Sequence, residues 1–251
     1  MSGEPPPAGS YVYGVTVAGA TPPPVAGIGA RPEVRLVADG TLAALVSDAQ
    51  RDEVAAGARA LRAHARVLDA AIEQGPVVPL RIGTLVGDDR AVVDDVLAPH
   101  RDRLAAMLDE LGPLVELAVR ARYDEDAVVA AVVAADPAIA RLHARLAGVD
   151  PEAAYYQRIE LGERIGAAVE ARRAADADEL LAALEDLAAD VSLGDLLDPH
   201  TVLNASFLVD RAHLPAFDGQ VRAAAAAHPE MAVRYVGPLP PYSFADPELA
   251  G

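Results

Sequence analysis

Six histidines are the side chains best suited to metal binding or proton transfer in this chain of 251 residues. They are scattered between His64 and His228, and none has a second histidine or a carboxylate at the spacing of a motif such as HExxH. Cysteine is absent, which excludes disulfides, thiolate catalysis and zinc–thiolate centres. We therefore expect no catalytic residue, no metal site and no cofactor.

Loops that could bind a nucleotide are also lacking. The segment GIGA (Gly27–Ala30) begins like a dinucleotide-binding loop, but it has no third glycine, and Arg31-Pro32 stands where a helix should start. The chain contains no lysine, so a P-loop is impossible, and it contains no GxSxG. Carboxylate pairs such as Asp94-Asp95 are expected in so acidic a chain and are interpreted as solvated.

A dense polar segment, RIELGERI (Arg158–Ile165), has two interpretations. Glu160 and Arg164 are four residues apart, a spacing that stabilises a helix, so the segment could be a salt-bridged helix face. It could instead be a docking face, because Gly162 and Gly166 leave a groove where another backbone can approach. The residues of this candidate partner-binding face are Tyr155, Ile159, Gly162, Glu163 and Gly166.

Two further features have a structural and a functional interpretation. Arg81 is the one charge in an apolar segment, PVVPLRIGTLV (Pro76–Val86), and could pair with a structural carboxylate or act in function. The ending RYVGPLPPYSF contains a PxxP, the spacing of SH3 ligands. Because an apparent strand leads directly into it, we predict instead that Tyr242 and Phe244 pack against the folded protein.

Composition limits the classes of partner. The net charge is −17, which argues against binding nucleic acid or an anionic membrane. The start of the chain lacks the pattern of a signal peptide, and no stretch of about 18 uninterrupted apolar residues exists. These patterns predict a soluble, cytoplasmic protein.

The N-terminal part is predicted to be an α+β domain over residues 1–112, with a flexible tail at 1–9. It begins with a strand at Tyr11–Ala18, continues with a hairpin at Asp39-Gly40, and then forms a helix with an apolar stripe from Val54 to Ile72. A strand at Pro76–Val86 and a further helix follow, and Gly112-Pro113 marks the boundary.

The remaining residues, 113–251, are predicted to form a second α+β domain. Its strands are expected at Leu114–Tyr123, His200–Asp210 and Met231–Gly237. Two short helices split at Asp136-Pro137, a long helical region over 152–191 and a helix at Leu214–Ala227 lie between them. This order predicts a modified ferredoxin-like fold with a long helical insertion.

Five segments in order carry a resemblance to a known family. They are YVYGV, PVVPLRIGTLV, YYQRIELGERI, LNASFLVDR and GPLPPYSFA. Together they resemble the GvpF/GvpL family of gas vesicle proteins, over nearly the whole chain. Leu239 departs from the tryptophan expected in the family's ending, so an aromatic role there is not carried over.

The resemblance implies an accessory or minor structural protein that is needed for gas vesicle formation and is not an enzyme. It implies the shell protein GvpA and other accessory Gvp proteins as partners, and a location in the cytoplasm and the gas vesicle. Binding would cover the apolar surface of the shell protein and limit its aggregation. The alternative is an enzyme or small-ligand binding protein with an inter-domain pocket.

Overall fold

The computed structural model describes residues 8–245, which form two compact units, and each is a mixture of helices and antiparallel strands. The described residues up to Glu116 and those from Gly237 onward make up the N-terminal unit, and Leu117–Val236 make up the second. This grouping differs from the predicted domains 1–112 and 113–251 mainly in where the end of the chain belongs. The domain boundaries stay a prediction, and the predicted tail lies largely outside the described residues.

The N-terminal unit is built on a five-stranded sheet in which β1 is central. Its order is β2-β3-β1-β4, with β5 also paired to β1. The described pairs are antiparallel, and the hairpin turn predicted at Asp39-Gly40 joins β2 to β3. β1 is buried along nearly its whole length, because α2 and α4 pack against the sheet. The strands are β1 (Gly9–Val17), β2 (Arg31–Asp39), β3 (Leu42–Ala49), β4 (Val77–Pro79) and β5 (Leu85–Val86).

The helices of this unit differ from the prediction in one respect. The expected helix is split into α1 (Arg51–Val54) and α2 (Ala58–Ile72), because Gly57 takes a left-handed conformation with φ of 59°. The buried face of α2 includes His64, whereas Leu61 of the predicted stripe is 54% exposed. The other helices are α3 (Asp89–Ala91), a π-helical turn (Val92–Leu97), a 3-10 turn (Ala98–His100) and α4 (Arg101–Leu111).

The predicted strand at Pro76–Val86 is wrong in its centre. β4 ends at Pro79, and the chain turns through residues 81–84 before β5 begins. The turn is closed by Thr84, whose backbone N–H and hydroxyl both donate to the carbonyl of Arg81. Proline and glycine within the segment favour this interruption over a continuous ladder.

The second unit contains a four-stranded sheet in the order β7-β8-β6-β9. Its short edge strand β7 was not predicted, because the predicted helical region, 152–191, extends into its first two residues. The elements are β6 (Leu114–Tyr123), α5 (Glu125–Ala135), α6 (Pro137–Leu146), α7 (Tyr155–Glu185), β7 (Asp190–Leu193), β8 (Thr201–Asp210), a 3-10 turn (Arg211–His213), α8 (Leu214–Ala227) and β9 (Met231–Leu239).

The core of this unit forms between the sheet and the C-terminal half of α7. Leu180 and Leu184 are almost fully buried there, and they pack with Phe207 and Phe217, whose rings are 5.4 Å apart. The C-terminal half of α7 is therefore packed into the core. Among residues 8–245, no single helix has the length and apolarity to cross a membrane; α5 and α6 meet that test only as a pair bent by 111°.

Candidate partner-binding surface

The N-terminal half of α7, residues Tyr155–Gly166, carries large apolar side chains that face outward. Tyr155 is 59% exposed, Tyr156 is 81% exposed and Ile159 is 43% exposed. The two tyrosine rings contact each other edge to face, with centroids 5.4 Å apart. We call these three side chains, with Gly162 and Gly166, the α7 face.

The two glycines of the α7 face lie open. A Cβ built on Gly162 or Gly166 meets no atom within 4 Å. Their lack of a side chain is therefore not required by packing within the described protein, although each costs about 1 kcal/mol of helix propensity relative to alanine. This observation favours an external partner for the groove.

The ion pair that the sequence suggested for the same segment, Glu160 with Arg164, also forms. Arg164 donates to Glu160 over 2.7 Å, but both side chains are about half exposed. Such an exposed pair contributes only a few tenths of a kcal/mol. Glu163 is exposed as well, so the charges flank the α7 face without covering it.

A basic groove lies next to the α7 face. It is a surface cavity of about 490 Å³ between α6 and α7, lined in part by Arg141, Arg145 and Arg164. Arg141 and Arg145 are exposed and make no ion pair with any described residue. Neither these arginines nor Tyr156 were predicted as part of the surface, although arginines four residues apart on one helix were a usable signal.

The segment RYVGPLPPYSF is a folded element. Ser243 donates from its backbone N–H and its hydroxyl to the buried carboxylate of Glu116, each over 2.8 Å. Tyr242 is 39% exposed and Phe244 is partly buried. Partial burial raises the pKa of Tyr242, with the nearby Asp69 carboxylate adding to the shift.

Arg81 lies in the exposed turn after β4. It forms no ion pair with the described residues, so neither a structural carboxylate nor a functional contact is visible for it in that part of the chain. Arg81 was predicted to be a charge within a strand, and it lies in a turn instead.

Backbone amides of the GIGA loop form hydrogen bonds within the protein. The N–H of Gly27 donates to the carbonyl of Pro32, and the N–H of Ile28 donates to the hydroxyl of Tyr13. These amides are therefore unavailable to a phosphate, which agrees with rejecting a dinucleotide loop. A cavity of about 420 Å³ beside the loop is lined in part by Arg59 and Arg66 of α2.

The fold and the exposed helix face together define the class: an α+β protein of two compact units with an open, partly apolar surface on a long helix. The chain matches the family described as gas vesicle synthesis protein GvpL/GvpF over residues 9–246. It therefore belongs to the GvpL/GvpF family, as its ordered motifs indicated, and takes part in gas vesicle formation.

Individual relatives agree with this assignment. Gas vesicle protein F of a Streptomyces species is 38% identical over 245 residues, which cover 94% of this chain and 99% of that protein. Gas vesicle protein F2 of Halobacterium salinarum is 29% identical, over 82% of this chain and 77% of that one. These proteins are named for gas vesicles and not for an enzymatic reaction.

Two solved structures share the fold. The crystal structure of GvpF from Anabaena superposes with a TM-score of 0.77 at 24% identity, covering 95% of this chain and 98% of that chain. GvpF from Microcystis aeruginosa superposes with a TM-score of 0.70 at 23% identity, over 95% and 99%. At these identities the comparison concerns the fold alone.

Proposed function

We propose that this protein is a non-enzymatic accessory protein that binds the gas vesicle shell protein GvpA through the α7 face and limits its aggregation during assembly. Other accessory Gvp proteins are further partners, and the protein acts in the cytoplasm and on the gas vesicle. The observation that carries the proposal is the open α7 face in a chain of this family.

The shape of the α7 face suits an apolar partner segment. Tyr155, Tyr156 and Ile159 offer aromatic and aliphatic contact area, and aromatic side chains are enriched where binding energy is concentrated. Gly162 and Gly166 allow a partner's backbone to approach more closely than any other residue would. A shell subunit with an exposed apolar surface is the kind of partner that needs such cover.

The charge around the α7 face suits a partner that also carries carboxylates. Arg141 and Arg145 form a local basic site in a chain whose net charge is −17. The surrounding acidity keeps a complex in solution, while the two arginines orient an acidic group of the partner. The proposed mode is therefore apolar contact on α7 with an ionic contact on α6.

The test replaces Gly162 and Gly166 with leucine. Because each Cβ would meet open space, the double variant should fold and be slightly more stable, by about 0.5–1 kcal/mol per site from helix propensity alone. Its affinity for purified GvpA should fall, since leucine side chains fill the groove. Circular dichroism and a pull-down on one preparation measure both effects.

A matched control adds the same apolar bulk elsewhere on the helix. Ala171 and Ala175 are exposed, four residues apart, and lie on another side of α7. The Ala171→Leu/Ala175→Leu variant should keep full GvpA binding. Equal binding by both double variants would remove the α7 face from the proposal, and failure of the wild-type protein to bind any vesicle component would remove the proposal altogether.

We also propose that the predicted second domain, residues 113–251, is a modified ferredoxin-like domain. The elements follow one another as strand, helices, two strands, helix and strand, and the sheet order β7-β8-β6-β9 supports this assignment. The helical region between β6 and β7 is then enlarged to α5, α6 and α7, and it includes the α7 face. The alternative of a small-ligand or enzymatic role at an inter-domain pocket stays a prediction.

A further inference from the structure

A buried polar cluster in the second unit is not explained by the proposed function. Asp176 of α7 is 7% exposed, and His228 and Glu230, on either side of Pro229 in the turn before β9, are also 7% exposed. One ligand atom from each of the three residues lies within 4.8 Å of the other two. Local spacing gives no sign of this cluster, because Asp176 lies 52 positions before His228 along the chain.

Nδ1 of His228 is buried and has no hydrogen-bond partner among the described residues. It lies 3.6 Å from Oε1 of Glu230 and 4.0 Å from Oδ2 of Asp176. Both distances are too long for hydrogen bonds. Ligand atoms bound to one tetrahedral zinc ion at about 2.0–2.2 Å lie roughly 3.3–3.6 Å from each other. The distances from Nδ1 of His228 to the two carboxylate oxygens are close to this range.

Neighbouring groups lie close to each of these three residues. Tyr123 donates to Oδ2 of Asp176 over 2.6 Å, and the backbone carbonyl of Glu230 accepts from the N–H of Asp124 over 2.9 Å. Oε1 of Glu179 lies 3.7 Å from Nε2 of His228. A carboxylate on the far nitrogen is the usual outer partner of a metal-bound histidine.

An ion could reach the cluster from the surface. A cavity of about 210 Å³ is lined by Glu179, by His228 and by apolar or amide side chains of α7 and α8. His228 is the residue of the cluster that lines this cavity, so an ion would approach from the side of the imidazole ring.

Arg172 pairs with both carboxylates of the cluster in this conformation. Its guanidinium donates to Asp176 over 3.2 Å and to the carboxylate of Glu230. Its side chain is 30% exposed, so it can turn toward solvent without crossing the core. A divalent ion and the guanidinium would then compete for the same two carboxylates.

We propose that Asp176, His228 and Glu230 form a structural binding site for a divalent first-row transition metal such as Zn²⁺, with Arg172 as the competing internal cation. One imidazole and two carboxylates are ligands that Zn²⁺ accepts, whereas Mg²⁺ prefers oxygen ligands alone. The bound ion would join α7 to the turn between α8 and β9.

The test is isothermal titration calorimetry of the full chain, without a histidine tag, with Zn²⁺ and separately with Mg²⁺. We expect one Zn²⁺ per chain, a rise in melting temperature with Zn²⁺ and no effect of Mg²⁺. His228→Ala and Glu230→Gln should weaken Zn²⁺ binding by at least roughly 10–100-fold, the range seen even for outer-shell changes. Arg172→Met should tighten it, because the competing charge is gone.

The matched control is His200→Ala. Nδ1 of His200 is also buried and without a hydrogen bond among the described residues, but only one carboxylate, Glu125, lies near its ring. This variant should bind Zn²⁺ like the wild type. If His228→Ala does not fold, Glu230→Gln gives the same comparison.

Three results would overturn the proposal. They are the absence of Zn²⁺ binding by both wild type and Arg172→Met, binding only by Arg172→Met, and binding that His228→Ala and Glu230→Gln leave intact. The second result would show that Arg172 is the permanent counter-ion. None of these results depends on whether GvpA binds, so the metal site and the proposed function fail separately.

Discussion

The phenolic oxygen of Tyr11 lies 2.8 Å from Nδ1 of His64 in the core of the N-terminal unit. The same oxygen accepts the N–H of Gly83, so its own hydrogen is available to the imidazole. Burial raises the pKa of Tyr11 to about 12 and lowers that of His64 to about 4. The pair is therefore uncharged at neutral pH, with His64 as the acceptor.

This pair predicts a specific acid sensitivity. In the unfolded chain His64 has its ordinary pKa of 6.5, so the unfolded state takes up a proton at higher pH than the folded state. The contribution of neutral His64 to the free energy of unfolding is complete above pH 6.5 and is lost as the pH falls toward about 4. The full difference corresponds to about 3 kcal/mol in the free energy of unfolding.

Urea denaturation followed by circular dichroism measures this effect. Wild type should lose about 3 kcal/mol more than His64→Gln between neutral pH and about pH 4, because glutamine accepts from Tyr11 without titrating. His213→Gln, at an exposed histidine, should behave like wild type. Parallel pH profiles for wild type and His64→Gln would contradict the assignment.

Gly27 predicts a second effect on stability. A Cβ at this position would overlap the hydroxyl of Tyr13, which also accepts the N–H of Ile28 and bonds to Ser47. Gly27→Ala should therefore lower the free energy of unfolding by about 1–3 kcal/mol, as overpacking of a core does. Gly75→Ala, where a Cβ meets open space, should not; equal melting temperatures for both variants would refute the prediction.

Local signals in the sequence predicted much of the fold. Asp136 accepts from the N–H groups of Ala138 and Ile139 and begins α6 where Asp136-Pro137 indicated, and Leu214–Ala227 forms α8 as predicted. Helix caps and helix-breaking residues depend on a few adjacent positions, so they can be recognised in the sequence without knowledge of the fold. β7 was missed because its four residues are specified by pairing with β8, which a local pattern does not contain.

The bond between Ser243 and Glu116 predicts that the end of the chain stabilises the N-terminal unit. Removing residues from Pro238 onward takes two donors away from a buried carboxylate and exposes the surface that Pro240 and Pro241 cover. A cost of about 1–3 kcal/mol follows from the loss of these hydrogen bonds to a buried charged group. The melting temperature should fall by about 2–4 °C for each kcal/mol.

Ser243→Ala separates the two contributions to this effect. It keeps the backbone donor and removes only the hydroxyl, so its melting temperature should fall between those of wild type and the truncated chain. Differential scanning calorimetry gives all three values. An unchanged melting temperature for the truncated chain, with rapid amide exchange over residues 238–245, would restore the view of this segment as a free ligand.

The candidate surface was only partly predictable. The spacing of Tyr155, Ile159, Gly162 and Gly166 placed them on one side of a helix, but spacing does not say whether that side is buried or open. The structure supplies this information, because α7 packs through Leu180 and Leu184 near its other end. The cluster of Asp176, His228 and Glu230 was unpredictable for a related reason, since it joins segments that only the fold brings together.

The basic groove gives the last prediction, for partner binding. Arg141 and Arg145 make no ion pair with described residues, so reversing them to glutamate removes no internal ion pair within that part of the chain. The Arg141→Glu/Arg145→Glu variant should fold like wild type and bind GvpA more weakly, by roughly tenfold or more at low ionic strength. Raising the salt concentration should weaken wild-type binding and narrow this difference, because exposed charges are screened.

The control variant is Arg59→Glu/Arg62→Glu on α2. It makes the same change in net charge at exposed positions of the N-terminal unit and should leave binding intact. Surface plasmon resonance at several salt concentrations distinguishes the cases: an equal loss of binding in both variants would mean that net charge, and not the groove beside the α7 face, governs the interaction.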